Sequence, residues 1–249
     1  MLLEILPPQK PTFASVLELL QLAGVTKISL PDKSKQSGNL EFAEFVKANS
    51  SLEILPHYSV QYHHHRRLES IAKEFDKYVL NCLQLGISEV LLVSGSRSQR
   101  HGALNLLEVC QPPIGFKIHV AFNPYLENID DEITKLNRKL PFADGVFLQI
   151  GENLERLEKV LIDIPQLKTK NLYGCLLYPT RRFQVQFRFR PWKGVCLSKR
   201  YLTDLDYAQK VFRNYASFYR QHRITPLLEI QPLHPNHLQT ALGAIKSEI

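Results

Sequence analysis

Hydrophobic positions along this chain follow two alternating rhythms. Short apolar runs, such as Leu2–Leu6, VTKISL at 25–30 and SEVLLVSG at 88–95, read as strands. Longer stretches with apolar residues three and four apart, such as FASVLELLQLAG at 13–24, read as helices. The alternation continues through NLEFAEFVKAN, SLEILPHYSV, LESIAKEFDKYVLNCLQLG, GALNLLEVC, FKIHVAF, DDEITKLNRKL, DGVFLQI, ENLERLEKVLIDI, NLYGCLLY and TDLDYAQKVFRNYASFYRQH, and closes on ITPLLEI and LQTALGAI. Eight strands alternating with helices over 249 residues predict parallel pairing through right-handed crossovers, and so one TIM (β/α)8 barrel domain over 1–249. An open doubly wound sheet is the competing arrangement. It expects a Gly-rich phosphate turn after an early strand, whereas the first strand here runs into PPQKP and no GxGxxG occurs.

One region breaks the rhythm. TRRFQVQFRFRPWKGVCLSKR, Thr180 to Arg200, is too long for an ordinary strand-to-helix loop. Phe183, Val185, Phe187 and Phe189 alternate with Gln184, Gln186, Arg188 and Arg190, which predicts an extended strand with one apolar and one partly cationic face. We expect an insertion or lid over the barrel mouth. Interleaved aromatics and arginines also suit single-stranded nucleic acid. Here the two kinds fall on opposite faces, so the lid is preferred and a nucleic-acid partner is not expected.

Composition narrows the picture further. Hydrophobic residues make up 44% and charged residues 22%, and no uninterrupted apolar stretch reaches the roughly 20 residues of a membrane helix. The N-terminus lacks a basic segment before a long apolar block, so the expected location is cytoplasmic. Cys82, Cys110, Cys175 and Cys196 form no CxxC pair and read as buried thiols rather than disulfides or zinc ligands. A net charge of +7 favours an anionic partner. YHHHRR, Tyr62 to Arg67, follows the third strand, and His234 and His237 flank the end of the eighth. Adjacent histidines point in alternate directions, so no metal site is expected there. No GxSxG and no P-loop is present. A homo-oligomer is left open.

A repeated phrase concentrates the chemistry. LEILPP at Leu3 to Pro8 returns as LEILPH at Leu52 to His57 and loosely as LLEIQP at Leu227 to Pro232, in three separate strands. An ionisable carboxyl on a barrel strand is costly unless it is paired, hydrogen-bonded or protonated. A protonated one near a strand C-terminus is placed to act as a general acid. The alternative is a structural carboxylate that reaches water or a cation.

These residues resemble the methylenetetrahydrofolate reductase family. EILPP is similar to the E-[FI]-F-P-P of its first strand, PHYSV at Pro56 to the P-H-[LI]-T of its third, LQIGEN at Leu148 to TQ-[FL]-F-[FY]-D, and YGCLLYP at Tyr173 to PGI-[LM]-P. The resemblance runs from about Leu2 to Leu177. It implies a barrel binding FAD in its C-terminal mouth and passing hydride from NAD(P)H to a folate-type substrate. It implies Glu4 as general acid, Gln149 and Ser96 as substrate contacts, and His57, Lys139 and Arg97 as cofactor contacts. SGS at Ser94 to Ser96 stands where the family has RGD, with Arg97 following, and AFNPY at Ala121 to Tyr125 lacks the family's Glu and His. The alternative reading is therefore a barrel that has lost FAD and binds a folate-like or other anionic ligand, or a protein partner.

Overall fold

The eight apolar runs form parallel strands that pair in chain order and close, β8 against β1. The computed structural model describes residues 1–32, 38–63, 66–95, 101–230 and 233–248. Its order is β1 Leu2–Glu4, α1 Phe13–Leu22, β2 Lys27–Leu30, α2 Gly38–Asn49, β3 Glu53–Ser59, α3 Leu68–Gln84, β4 Glu89–Val93, α4 Ala103–Leu107, β5 Lys117–Phe122 and α5 Ile129–Lys139. It continues with β6 Gly145–Leu148, α6 Leu154–Asp163, β7 Asn171–Leu177, α7 Arg181–Phe189, α8 Lys199–Thr203, α9 Leu205–Gln221, β8 Thr225–Glu229 and α10 Pro235–Glu248. This is the TIM barrel predicted from the alternation.

Side chains alternate along each strand, so a closed barrel has two cores. Outward residues such as Leu3, Ile28, Ile54, Val90, Val120, Val146 and Leu228 pack against the helices. α3 buries Ile71, Phe75, Tyr78, Val79 and Cys82 in a stripe of helical period. Inward residues Leu2, Leu55, Leu91, Phe147 and Leu227 form a smaller core of their own, with Tyr173 stacked on Phe147 at 4.3 Å. Gly145 is required in this interior, because a Cβ there would lie 2.5 Å from His119 Nδ1. On the outer face a Cβ on Gly174 would strike the Tyr219 ring.

The segment 180–200 is not an extended strand. It forms α7, a loop and α8, with the Thr180 hydroxyl capping α7 by accepting from the Phe183 N–H at 3.0 Å. Phe183 and Phe187 lie four apart, a spacing shared by strand and helix faces, so alternation alone did not separate the two. The helix buries that pair and leaves Val185 44% and Phe189 81% exposed, where a strand would bury all four. The four cysteines are free thiols, but only Cys82 is buried as expected, with Cys110 and Cys175 half-buried and Cys196 exposed. Among the described residues no helix is long and apolar enough to cross a membrane.

Candidate functional site

The C-terminal halves of β1, β2, β3 and β8 bring Glu4, Ser29, His57 and Glu229 toward the barrel mouth, where this fold places its working residues, and Cys175 of β7 lies below Glu229 against the inner core. Glu4 is in register with Glu229 on one side and with Ser29 on the other. Ser29 and His57 share a buried hydrogen bond of 2.6 Å between the hydroxyl oxygen and Nε2. His57 follows Pro56, which lacks an N–H in the middle of the sheet. Donors come from outside the ladder instead. The Asn39 amide donates to the carbonyls of Leu30 at 3.3 Å and His57 at 2.8 Å, and the Tyr78 hydroxyl donates to His57 at 3.0 Å. His57 is thereby held by its backbone and by its ring.

Glu4 and Glu229 line a cavity of about 400 Å³ between β1 and β8, walled by Ile5, Leu6, Ile230 and Leu233 and reached by Gln186 of α7. Among the described residues its lining contains no Lys, Arg or His. Glu229 is 7% exposed, and the Cys175 thiol hydrogen-bonds it. Burial pushes that thiol well above its ordinary pKa, and the nearby Glu229 and Glu4 carboxyls push it further. The pocket is apolar in its walls and carries two carboxyls at its base, suited to a ligand that presents N–H groups.

The segment after β7 borders the cavity through α7 and reaches across to the loops that follow β5 and β6. The Asn123 amide beyond β5 donates to the Gly194 carbonyl at 2.6 Å, and the Glu152 carboxylate beyond β6 accepts from the Ser198 hydroxyl at 2.9 Å. Inside the segment the Gln184 amide donates to the Tyr201 carbonyl at 2.6 Å, and Trp192 packs edge-on against Phe183 at 5.4 Å. The Glu4–Glu229 cavity lies on the β8–β1 side.

The sequence-derived residues separate in space. Glu4 and His57 lie at the mouth on either side of Ser29. Gln149 follows β6, where its side-chain Oε1 accepts from the Ile150 N–H at 2.9 Å. Lys139 lies in the last turn of α5 and donates to the Ala121 carbonyl at 2.7 Å. Burial pushes its ammonium down to about 8. Ser96, Arg97, His64 and His65 lie outside the described residues. The sequence reading missed Ser29, Cys175 and Glu229. A signal for Glu229 was present, because Leu2–Ile5 and Leu227–Ile230 are both LLEI, and the two copies sit side by side in register.

No protein-family model matches the sequence, and no curated protein matches it. Solved structures do. One is an uncharacterised protein from Clostridium thermocellum that binds two copies of 5-methyl-5,6,7,8-tetrahydrofolic acid, with a TM-score of 0.69 at 13% identity over 99% of this chain and 94% of that one. Another is endonuclease IV from Thermus thermophilus, with a TM-score of 0.57 at 12% identity over 99% and 97%. A GH18 chitinase from Pseudoalteromonas aurantia gives 0.53 at 10% over 99% and 99%. At these identities the likeness is one of fold.

Proposed function

We propose that this barrel binds a reduced pterin of the folate type in the β8–β1 side of its mouth. The observation that carries the reading is the register-paired carboxylates Glu4 and Glu229 at the base of an apolar-walled cavity with no cation among its described lining residues. A pterin is a flat ring with apolar faces whose 2-amino and N3–H groups form a double-donor edge. A carboxylate accepts such an edge with two parallel hydrogen bonds, the geometry that also makes arginine pairs strong. One of the two glutamates takes this edge, and the other faces a ring nitrogen with which it can exchange a proton. Glu4, at the more open end, is assigned the proton, and Glu229, more deeply buried and bonded to Cys175, the recognition. The folate-binding structure among the similar folds supports this choice of ligand class.

FAD fits the described residues poorly. The Lys139 amine is engaged by a backbone carbonyl, the His57 ring is engaged by Ser29, and the described cavity lining offers a diphosphate no cation. No step of the proposed function is routed through a flavin. The purified protein is therefore expected to be colourless, and a bound yellow chromophore would restore the reductase reading.

The test is a thermal and calorimetric titration with 5-methyltetrahydrofolate. Ligand at about 100 times its dissociation constant should stabilise the folded state by about 2.7 kcal/mol. Glu229→Gln should abolish that shift, since a side-chain amide turns one of its donors toward the pterin's own. If the wild type shows no stabilisation at millimolar ligand, the pterin reading fails.

A further inference from the structure

The excess positive charge of the chain is concentrated in one place. Lys and Arg total 31 against 24 acidic residues, and seven of those cations with no acid lie between Arg181 and Arg200, which leaves the remainder balanced at 24 against 24. The whole net charge of +7 thus sits on the segment that borders the mouth. Some of these cations have partners. Arg200 lies over the Tyr207 ring at 4.3 Å and 3.9 Å from Asp204, and Arg181 donates to the Thr203 carbonyl at 3.4 Å. Among the described residues no hydrogen bond or ion pair engages the side chains of Arg182, Arg188, Arg190 or Lys193.

α7 connects this charge to the cavity. Its buried side carries Phe183, Gln184 and Phe187, so its other side faces outward. Gln186 on that side lines the cavity, with Arg182 one turn before it and Arg190 at the helix end one turn after it. A cation thus flanks the cavity-lining residue on each side along one stripe. The cavity itself is lined by carboxylates, so any anionic part of a ligand must lie outside it.

We propose that the outward stripe of α7, Arg182 and Arg190 with Gln186 between them, is a subsite for a polycarboxylate tail on the ligand whose head occupies the Glu4–Glu229 cavity. The proposal rests on the pterin reading and extends it. The ligand is divided electrostatically, with a donor edge inside and a run of carboxylates along the helix outside. Arginine suits that task because its planar fork meets a carboxylate with two parallel hydrogen bonds. The ligand class implied is a folate with a chain of γ-linked glutamates rather than a bare pterin.

The experiment compares three ligands by calorimetry: 6-methyltetrahydropterin, which has no tail, 5-methyltetrahydrofolate, which has one glutamate, and its tri-γ-glutamate. Affinity should rise along the series, by about threefold to tenfold for each carboxylate that meets an arginine. The rise should disappear in about 1 M salt, where the screening length falls to about 3 Å. In the double variant Arg182→Gln with Arg190→Gln, all three ligands should bind with the affinity of the tail-free head. Both side chains are on the surface, so an unchanged melting temperature checks that the fold is intact. The subsite is refuted if the head binds and needs Glu229 while the tail adds nothing or the double variant keeps the full gain. If the head does not bind, the pterin reading itself has failed.

Discussion

The two ends of this barrel use the same inward-facing positions for opposite purposes. At the floor, where the strands begin, Lys27 forms an ion pair with Glu89 and lies 3.5 Å from Glu53, and the His119 ring donates through Nε2 to Glu89 at 2.9 Å. Burial alone would raise the Glu89 carboxyl, but His119 and Lys27 hold it below the usual carboxylate range. Burial alone would lower the Lys27 ammonium, but Glu89 holds it above its ordinary value. At the mouth two glutamates share a cavity whose described lining contains no cation. Charges matched inside the fold serve stability, while the same residue types facing such a cavity can meet a ligand.

The largest predicted effect breaks the matched end. Glu89→Gln removes the carboxylate that compensates Lys27 and should cost about 3 to 5 kcal/mol, read as a shift in the urea midpoint. Because the folded Glu89 carboxyl is depressed, its stabilisation is present above the ordinary carboxylate pKa and is lost as pH falls through the depressed value, so the variant should also lose part of the acid sensitivity of the wild type. Glu229→Gln should by contrast change stability by about 1 kcal/mol or less while removing ligand binding. Equal destabilisation by the two substitutions would mean that the mouth is as structural as the floor.

A smaller effect sharpens the comparison with a second buried lysine. Lys139 lies between helix and sheet, where it has a backbone carbonyl in place of a carboxylate, and burial pushes it down to about 8 where Lys27 goes up. Between about 8 and 10.5 the unfolded chain keeps the proton that the folded chain has released, so stability due to Lys139 rises with pH in that window. The wild type should therefore gain on Lys139→Met, by at most about 3 kcal/mol, as urea midpoints are followed from about pH 7 to about pH 10. A gap between the two that stays flat with pH would mean that the amine reaches water.

How much of this was legible depended on whether one element or two had to be known at once. The barrel was readable because each strand and helix carries its own period. The positions of Glu4 and His57 toward the C-terminal ends of their strands were readable because each lies in a local phrase, LEILPP or LEILPH. The partners were not. Glu229 gains its meaning from lying beside Glu4 across the closure of the barrel, a pairing between residues 2–4 and 227–229 that the shared LLEI marks but does not place in space. Ser29 likewise matters only through His57, 28 positions away. The three glutamate phrases also divide between the ends, since Glu53 opens β3 at the floor while Glu4 and Glu229 end β1 and β8 at the mouth.

The smallest predicted effect lies in the one element that alternation misassigned. An extended strand over Phe183–Phe189 would put Val185 and Phe189 on the same buried face as Phe183 and Phe187, so a charge at either would cost several kcal/mol. The helix turns both outward, between the arginines that give the segment its charge. Val185→Glu and Phe189→Glu should then each change stability by less than about 0.5 kcal/mol, within the range of ordinary surface positions. The same two changes place a carboxylate among the cations beside the mouth, so they should weaken the polyglutamylated ligand while leaving the bare pterin unaffected. A melting temperature that drops sharply in both variants would put these side chains inside the fold. It would also remove the exposed stripe on which tail recognition depends.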